Sequence, residues 1–187
     1  MSVGKIRSVP RRMFGRNASH FEILFLLTTL TLNLLDAFTT LALKVTNSGV
    51  ELNPVLKILL EVNPFLVYPF LLSTLIPIIL FRFNPVVEYG VATLLITIHL
   101  VVSLNNLGIL VSRYSLALPI LVNSDIQFLA FLTGLTIIGG YSLYQGIANR
   151  YTIMETLRKT TLNYALYLLA YLILGIIPLI WLSIFNI

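Results

Sequence analysis

The chain has 187 residues, of which 58% are hydrophobic, 10% are charged and none is cysteine, whereas a soluble domain carries about 25% charged residues. With a mean hydropathy of +0.95, this balance excludes a soluble domain, and the missing cysteine excludes disulfides, thiolate metal sites and cysteine nucleophiles. The net charge of +5 does not point to nucleic acid, because five of the twelve basic residues (Lys5, Arg7, Arg11, Arg12, Arg16) stand together just ahead of the first apolar run.

Such an arm is first an orientation signal. Residues 1–20 are therefore expected to form a basic cytoplasmic segment. Each basic residue near the surface is worth about 1 kcal/mol of attraction to anionic lipid headgroups.

The first apolar run covers residues 21–43 and is long enough to cross a bilayer, which takes about 20 apolar residues. Within it stands LNLLDAFTT, with an aspartate at position 36. Thr29, Asn33, Asp36 and Thr40 recur at steps of four, three and four, which places them on one stripe of a helix. A charge in hydrocarbon costs about 2.5–3.5 kcal/mol on insertion scales. Asp36 is therefore expected to face other helices.

Asn-Pro follows three times, at Asn53-Pro54, Asn63-Pro64 and Asn84-Pro85. Asparagine accepts hydrogen bonds from the free amides that begin a helix, and proline in the first turn has no donor to waste. Three helix starts are predicted. The first begins a nine-residue segment, PVLKILLEV, too short to span and suited to the membrane interface. The second and third begin predicted spans over 64–81 and 85–110.

On the 85–110 span, Glu88, Ala92, Leu95, His99, Ser103 and Asn106 share a face, with Asn105 beside it. Two further spans are predicted over 126–147 and 162–184. In the fourth, Ala130, Gly134 and Gly139-Gly140 allow close helix approach or a bend. In the fifth, Tyr164, Tyr167 and Tyr171 share a face, and Trp181 suits an interfacial anchor.

The expected fold class is an all-α polytopic membrane helix bundle, with about five transmembrane helices and one short interfacial helix in a single domain over 21–187. An inside N-terminus puts nine basic residues on the cytoplasmic side (the five of the arm, Arg82, Arg150, Arg158, Lys159) and three outside (Lys44, Lys57, Arg113). The expected location is the cell membrane, with the N-terminus cytoplasmic and the C-terminus outside.

Because the first and third spans run the same way, Asp36 and the stretch from His99 to Asn106 lie at similar depth. Glu51 and Asn53 sit in the connection leaving the first span. The candidate binding residues are thus Asp36, Glu51, Asn53, His99, Asn105 and Asn106, supported by Thr29, Asn33 and Thr40. No HExxH, GxSxG, P-loop or dinucleotide glycine pattern occurs. The two histidines, His20 and His99, are predicted at different depths, so no metal site, catalytic set or cofactor is expected.

The order LNLLDAFTT, GVELNP and SLNNL resembles a small prokaryotic multi-pass membrane-protein family catalogued as a domain of unknown function. The resemblance spans residues 31–110 and rests on Asp36 with Thr40, on Glu51-Leu52-Asn53-Pro54 and on Asn105-Asn106. It implies a shared helical architecture and no activity. The family's next helix carries a lysine near Tyr68, so this chain departs from its pattern there.

Three function classes follow. A site-poor chain with packing faces fits a non-enzymatic subunit or scaffold of a membrane assembly, held by a membrane-protein partner or by its own copies. Transport of an ion, proton or small polar solute through Asp36 is the alternative. An intramembrane enzyme acting on lipid headgroups comes third.

Overall fold

The computed structural model describes residues 20–47, 53–112 and 123–185, so the basic arm and Glu51 lie outside the described residues. No strand occurs among them, and the chain is an all-α bundle. Four helices are long and apolar enough to cross a membrane, consistent with a multi-pass membrane protein.

Helix α1 (His20–Thr46) ends at Asn47, whose φ of 50° is a left-handed conformation that asparagine adopts more readily than most residues. Helix α2 (Pro54–Val62) starts where Asn53 Oδ1 accepts from the amides of Val55 (3.0 Å) and Leu56 (3.3 Å). It buries Val55, Leu56, Leu59 and Leu60 and leaves Lys57 and Glu61 exposed, the pattern of a one-faced helix. Asn63 and Asn84 repeat the cap, accepting from Phe65 N (3.0 Å) and from Val86 N (3.2 Å). All three Asn-Pro steps begin helical structure.

The predicted span over 64–81 is not one continuous rod. It consists of a 3₁₀ turn (Pro64–Leu66), α3 (Val67–Ser73) and α4 (Ile76–Leu80). Pro77 cannot donate to the carbonyl of Ser73, and a proline inside a helix also crowds the preceding turn. The chain responds by tightening: Thr74 N bonds Leu71 O and Leu75 N bonds Leu72 O, both at 3.1 Å and both three residues back.

Helix α5 (Pro85–Ser112) is central, packing against α1, α4, α6 (Asn123–Ala148) and α7 (Ile153–Ile184). Phe25 meets Tyr89, Asp36 meets His99 and Thr40 meets Asn106, so α1 and α5 run parallel. The broken segment Pro64–Leu80 therefore carries the chain back between them. Phe131 meets Tyr171, Asn163 meets Ser142, and Gly146 faces Thr156, so α6 and α7 form an antiparallel hairpin.

Two apolar clusters hold these elements. One gathers Leu75, Ile78, Val87, Val91, Leu95, Ile138 and Tyr167 around α5; the other packs α2 and α3 on Ala37.

One expectation at the C-terminal end needs correction. Helix α7 begins at Ile153, well before residue 162, because Thr152 and Glu155 form a reciprocal capping box. Trp181 is half-buried, donates Nε1–H to Ser73 Oγ (3.2 Å) and packs edge-on against Phe70.

Candidate functional site

The α1 stripe faces inward, as a charged residue on an apolar helix requires. Thr29, Asn33, Asp36, Thr39 and Thr40 are all buried, and so are His99, Ser103 and Asn106 on the facing side of α5. The parallel register of the two helices sets three successive polar levels against each other.

At the middle level, His99 Nδ1 lies 2.8 Å from Asp36 Oδ2, with both side chains almost fully enclosed. On the other side of the ring, His99 Nε2 lies 3.1 Å from Asn33 Nδ2. That amide also reaches the Leu71 carbonyl (2.7 Å) and Thr74 Oγ1 (3.1 Å), at the break between α3 and α4. One level along, the Thr40 hydroxyl donates to Asp36 Oδ1 (3.3 Å). Asn106 Nδ2 donates to Thr40 Oγ1 (3.1 Å) and Thr39 Oγ1 (3.3 Å), and Thr39 donates to the Asp36 carbonyl (3.1 Å). The network thus joins α1, α3 with its adjoining break, and α5.

Of the sequence candidates, Asn33, Asp36, Thr40, His99 and Asn106 come together. Thr29 is buried but turns its hydroxyl to Phe25 O of its own helix (2.8 Å). Asn53 caps α2, Asn105 is half-buried beside Asn106, and Glu51 lies outside the described residues. Thr39, Thr74 and the Leu71 carbonyl escaped sequence reasoning. Thr39 stands three residues after Asp36, a helical spacing that could have revealed it. The other two join only through the break that Pro77 imposes.

The hydrogen bonds favour one tautomer of His99. The group within 2.7 Å of the Leu71 carbonyl must be a donor, which orients the Asn33 amide with its nitrogen toward both Leu71 and His99. Facing that nitrogen, Nε2 is suited to accept, the tautomer with the imidazole proton on Nδ1. Nδ1–H then donates to Asp36 Oδ2, an oxygen that accepts whether or not Oδ1 carries a proton. No lysine or arginine is buried among the described residues to offset an ionised Asp36.

Two oxygens in the same two helices remain unsatisfied: Asn33 Oδ1 and Ser103 Oγ are buried without a hydrogen-bond partner. Buried groups of this kind are rare enough to require an explanation. No group of three or more His, Cys, Asp or Glu side chains suited to a metal ion occurs among the described residues.

A second polar chain ties the bundle elsewhere. Asn84 Nδ2 donates to Asn163 Oδ1 (2.8 Å), and Asn163 Nδ2 donates to Ser142 Oγ (3.0 Å), linking the start of α5 to α6 and α7. Asn84, Asn163 and Ser142 all have hydrogen-bond partners, so this chain serves packing. Comparison of the chain with family models, with curated proteins and with solved structures finds no match.

Proposed function

We propose that this chain is a multi-pass membrane protein that takes up and releases a proton at the Asp36–His99 pair, as part of a path for protons or for a proton-coupled solute. One observation carries the reading. A carboxyl and an imidazole lie 2.8 Å apart, almost fully enclosed and with no buried lysine or arginine among the described residues, so an ionised Asp36 is costly in a bilayer and is relieved by taking up a proton.

The two routes to neutrality have different structural consequences. A proton on Asp36 leaves the imidazole unchanged. A proton on Nε2 instead places an N–H against the Asn33 amide. That contact is relieved if Asn33 turns its unpartnered Oδ1 toward the ring, which takes one of three donors from the Leu71 carbonyl and leaves those of Thr74 N (3.1 Å) and Thr74 Oγ1 (2.6 Å). Loading of the histidine is thereby linked to the α3–α4 break, where the segment is least regular. Discontinuous helices beside a buried carboxylate are a recurring feature of membrane transport sites.

The helix directions put Arg82, Arg150, Arg158 and Lys159 at the same end of the bundle as the start of α1. Under the positive-inside rule this end faces the cytoplasm and the C-terminus lies outside. The subunit or scaffold reading rests on a site-poor sequence with packing faces and a basic arm; the buried network between α1 and α5 is what supports proton handling over passive assembly.

The test is proton entry into liposomes containing the purified chain, read with an internal pH-sensitive dye under an imposed potential. Wild-type protein is expected to admit protons, and Asp36→Asn to lower the rate at least tenfold while eluting as a folded species. Equal rates in the two proteins, or no entry above that of empty liposomes, would contradict the reading.

A further inference from the structure

The turn between α6 and α7 contains an arginine where glycine is the usual residue. Tyr151 N bonds Gly146 O (2.9 Å) and Arg150 N bonds Ile147 O (3.1 Å), the paired bonds of a Schellman helix ending with Arg150 at its left-handed position. Arg150 adopts φ 52° there, a conformation in which a Cβ is disfavoured and glycine is not. A strained non-glycine residue in such a place is a reason to look for a function.

Beside Arg150 a cleft of about 290 Å³ opens between the two helices, at the lower end of ligand-sized cavities. Its walls include Leu143, Ile147, Ile153 and Leu157, all exposed, and Arg150 and Tyr151 also line it. The neighbouring charges are engaged elsewhere. Glu155 accepts from Thr152 N (3.0 Å) and Thr152 Oγ1 (3.1 Å), and the Lys159 ammonium sits over the Tyr151 ring at 3.3 Å. The Arg150 guanidinium has no hydrogen bond or ion pair to any described residue.

We propose that this cleft seats an anionic phospholipid, with its phosphate on the Arg150 guanidinium and an acyl chain along Leu143, Ile147, Ile153 and Leu157. Guanidinium and phosphate match in charge and in donor geometry. Charge also selects among occupants. The N-terminal arm carries five basic residues and no acidic one before residue 20, so it is repelled. The same face of a second copy would set one Arg150 against another.

The test is native mass spectrometry of the full-length chain in mild detergent, titrated with phosphatidylglycerol or phosphatidylcholine. Wild-type protein is expected to retain phosphatidylglycerol about fivefold better, the preference of one basic contact. Arg150→Gly is expected to lose that preference while melting at the same or a higher temperature. Arg150→Asn tolerates the same backbone conformation and serves should the glycine variant fail to fold. Ile147→Gln is expected to weaken retention of both lipids. Equal retention of the two lipids by wild-type protein overturns the proposal, as does a preference that survives both Arg150 substitutions. Glycerol phosphate displacing phosphatidylglycerol at equal concentration would assign the contact to a bare phosphate and also overturn it.

Discussion

His99→Leu is expected to destabilise the bundle by about 1–3 kcal/mol, the cost of leaving buried hydrogen-bonding groups without their partner. Leucine fills much of the imidazole's space but offers nothing to Asp36 Oδ2 or to the Asn33 amide, which His99 contacts at 2.8 and 3.1 Å. Asp36 then keeps only the long hydrogen bond from Thr40 (3.3 Å). The informative comparison is with the double variant Asp36→Leu/His99→Leu, which removes the carboxyl together with its partner. Because replacing both partners of a buried pair is often neutral or stabilising, the double variant is expected to be more stable than His99→Leu alone. Unfolding titrations of the purified proteins in one detergent provide the readout. A double variant less stable than the single one would mean that Asp36 is not a stranded group in the absence of His99.

Gly134→Ala is expected to destabilise by about 1–3 kcal/mol, the usual cost of overpacking a filled core. The sign is what makes the measurement useful, since alanine in a helix interior is intrinsically favoured over glycine by up to about 1 kcal/mol. A Cβ at Gly134 would overlap the Tyr167 hydroxyl and stand 2.9 Å from the Gly90 carbonyl oxygen, where α5, α6 and α7 converge. Tyr167 has little freedom to retreat: it is fully buried, donates to Phe131 O (3.1 Å) and stacks on the Phe131 ring. Six residues along the same helix, a Cβ at Gly140 would meet nothing within 4 Å. Gly140→Ala is therefore expected to be neutral or mildly stabilising. Thermal unfolding of the two variants side by side checks both signs, and a destabilised Gly140→Ala beside an unchanged Gly134→Ala would refute the packing at this junction.

The polar stripe and the helix starts were legible because each follows from local chemistry. Asp36 could not face lipid, so the residues at helical steps from it, Asn33 and Thr40, had to face inward too. The Asn-Pro steps carried both a cap and a compatible first-turn residue, and Asn53, Asn63 and Asn84 all accept the expected amides. His99 and Asn106 were placed opposite Asp36 by direction and depth, which the parallel register of α1 and α5 supports.

What sequence reading missed depends on backbone groups and on contacts between distant segments. The run over 64–81 is apolar apart from Tyr68, Ser73 and Thr74, so hydropathy reads one rod, whereas Pro77 breaks it. Only that break brings the Leu71 carbonyl and Thr74 to Asn33. The start of α7 was placed too late because Arg158 and Lys159 interrupt the apolar run, although Thr152 and Glu155 already carry a helix-start signature. Trp181 bonds Ser73, 108 residues away in sequence, and no local pattern announces that partner.

The account depends most on the state of a single imidazole ring. Nitrogen-15 NMR of histidine-labelled protein in lipid bilayers reads it directly, with His20→Gln removing the second histidine signal. Near neutral pH the account predicts a neutral His99 ring, protonated at Nδ1 and accepting at Nε2, whose Nδ1 signal moves when Asp36 is changed to asparagine. A ring protonated at Nε2 with a bare Nδ1, or one unaffected by Asp36→Asn, would contradict it.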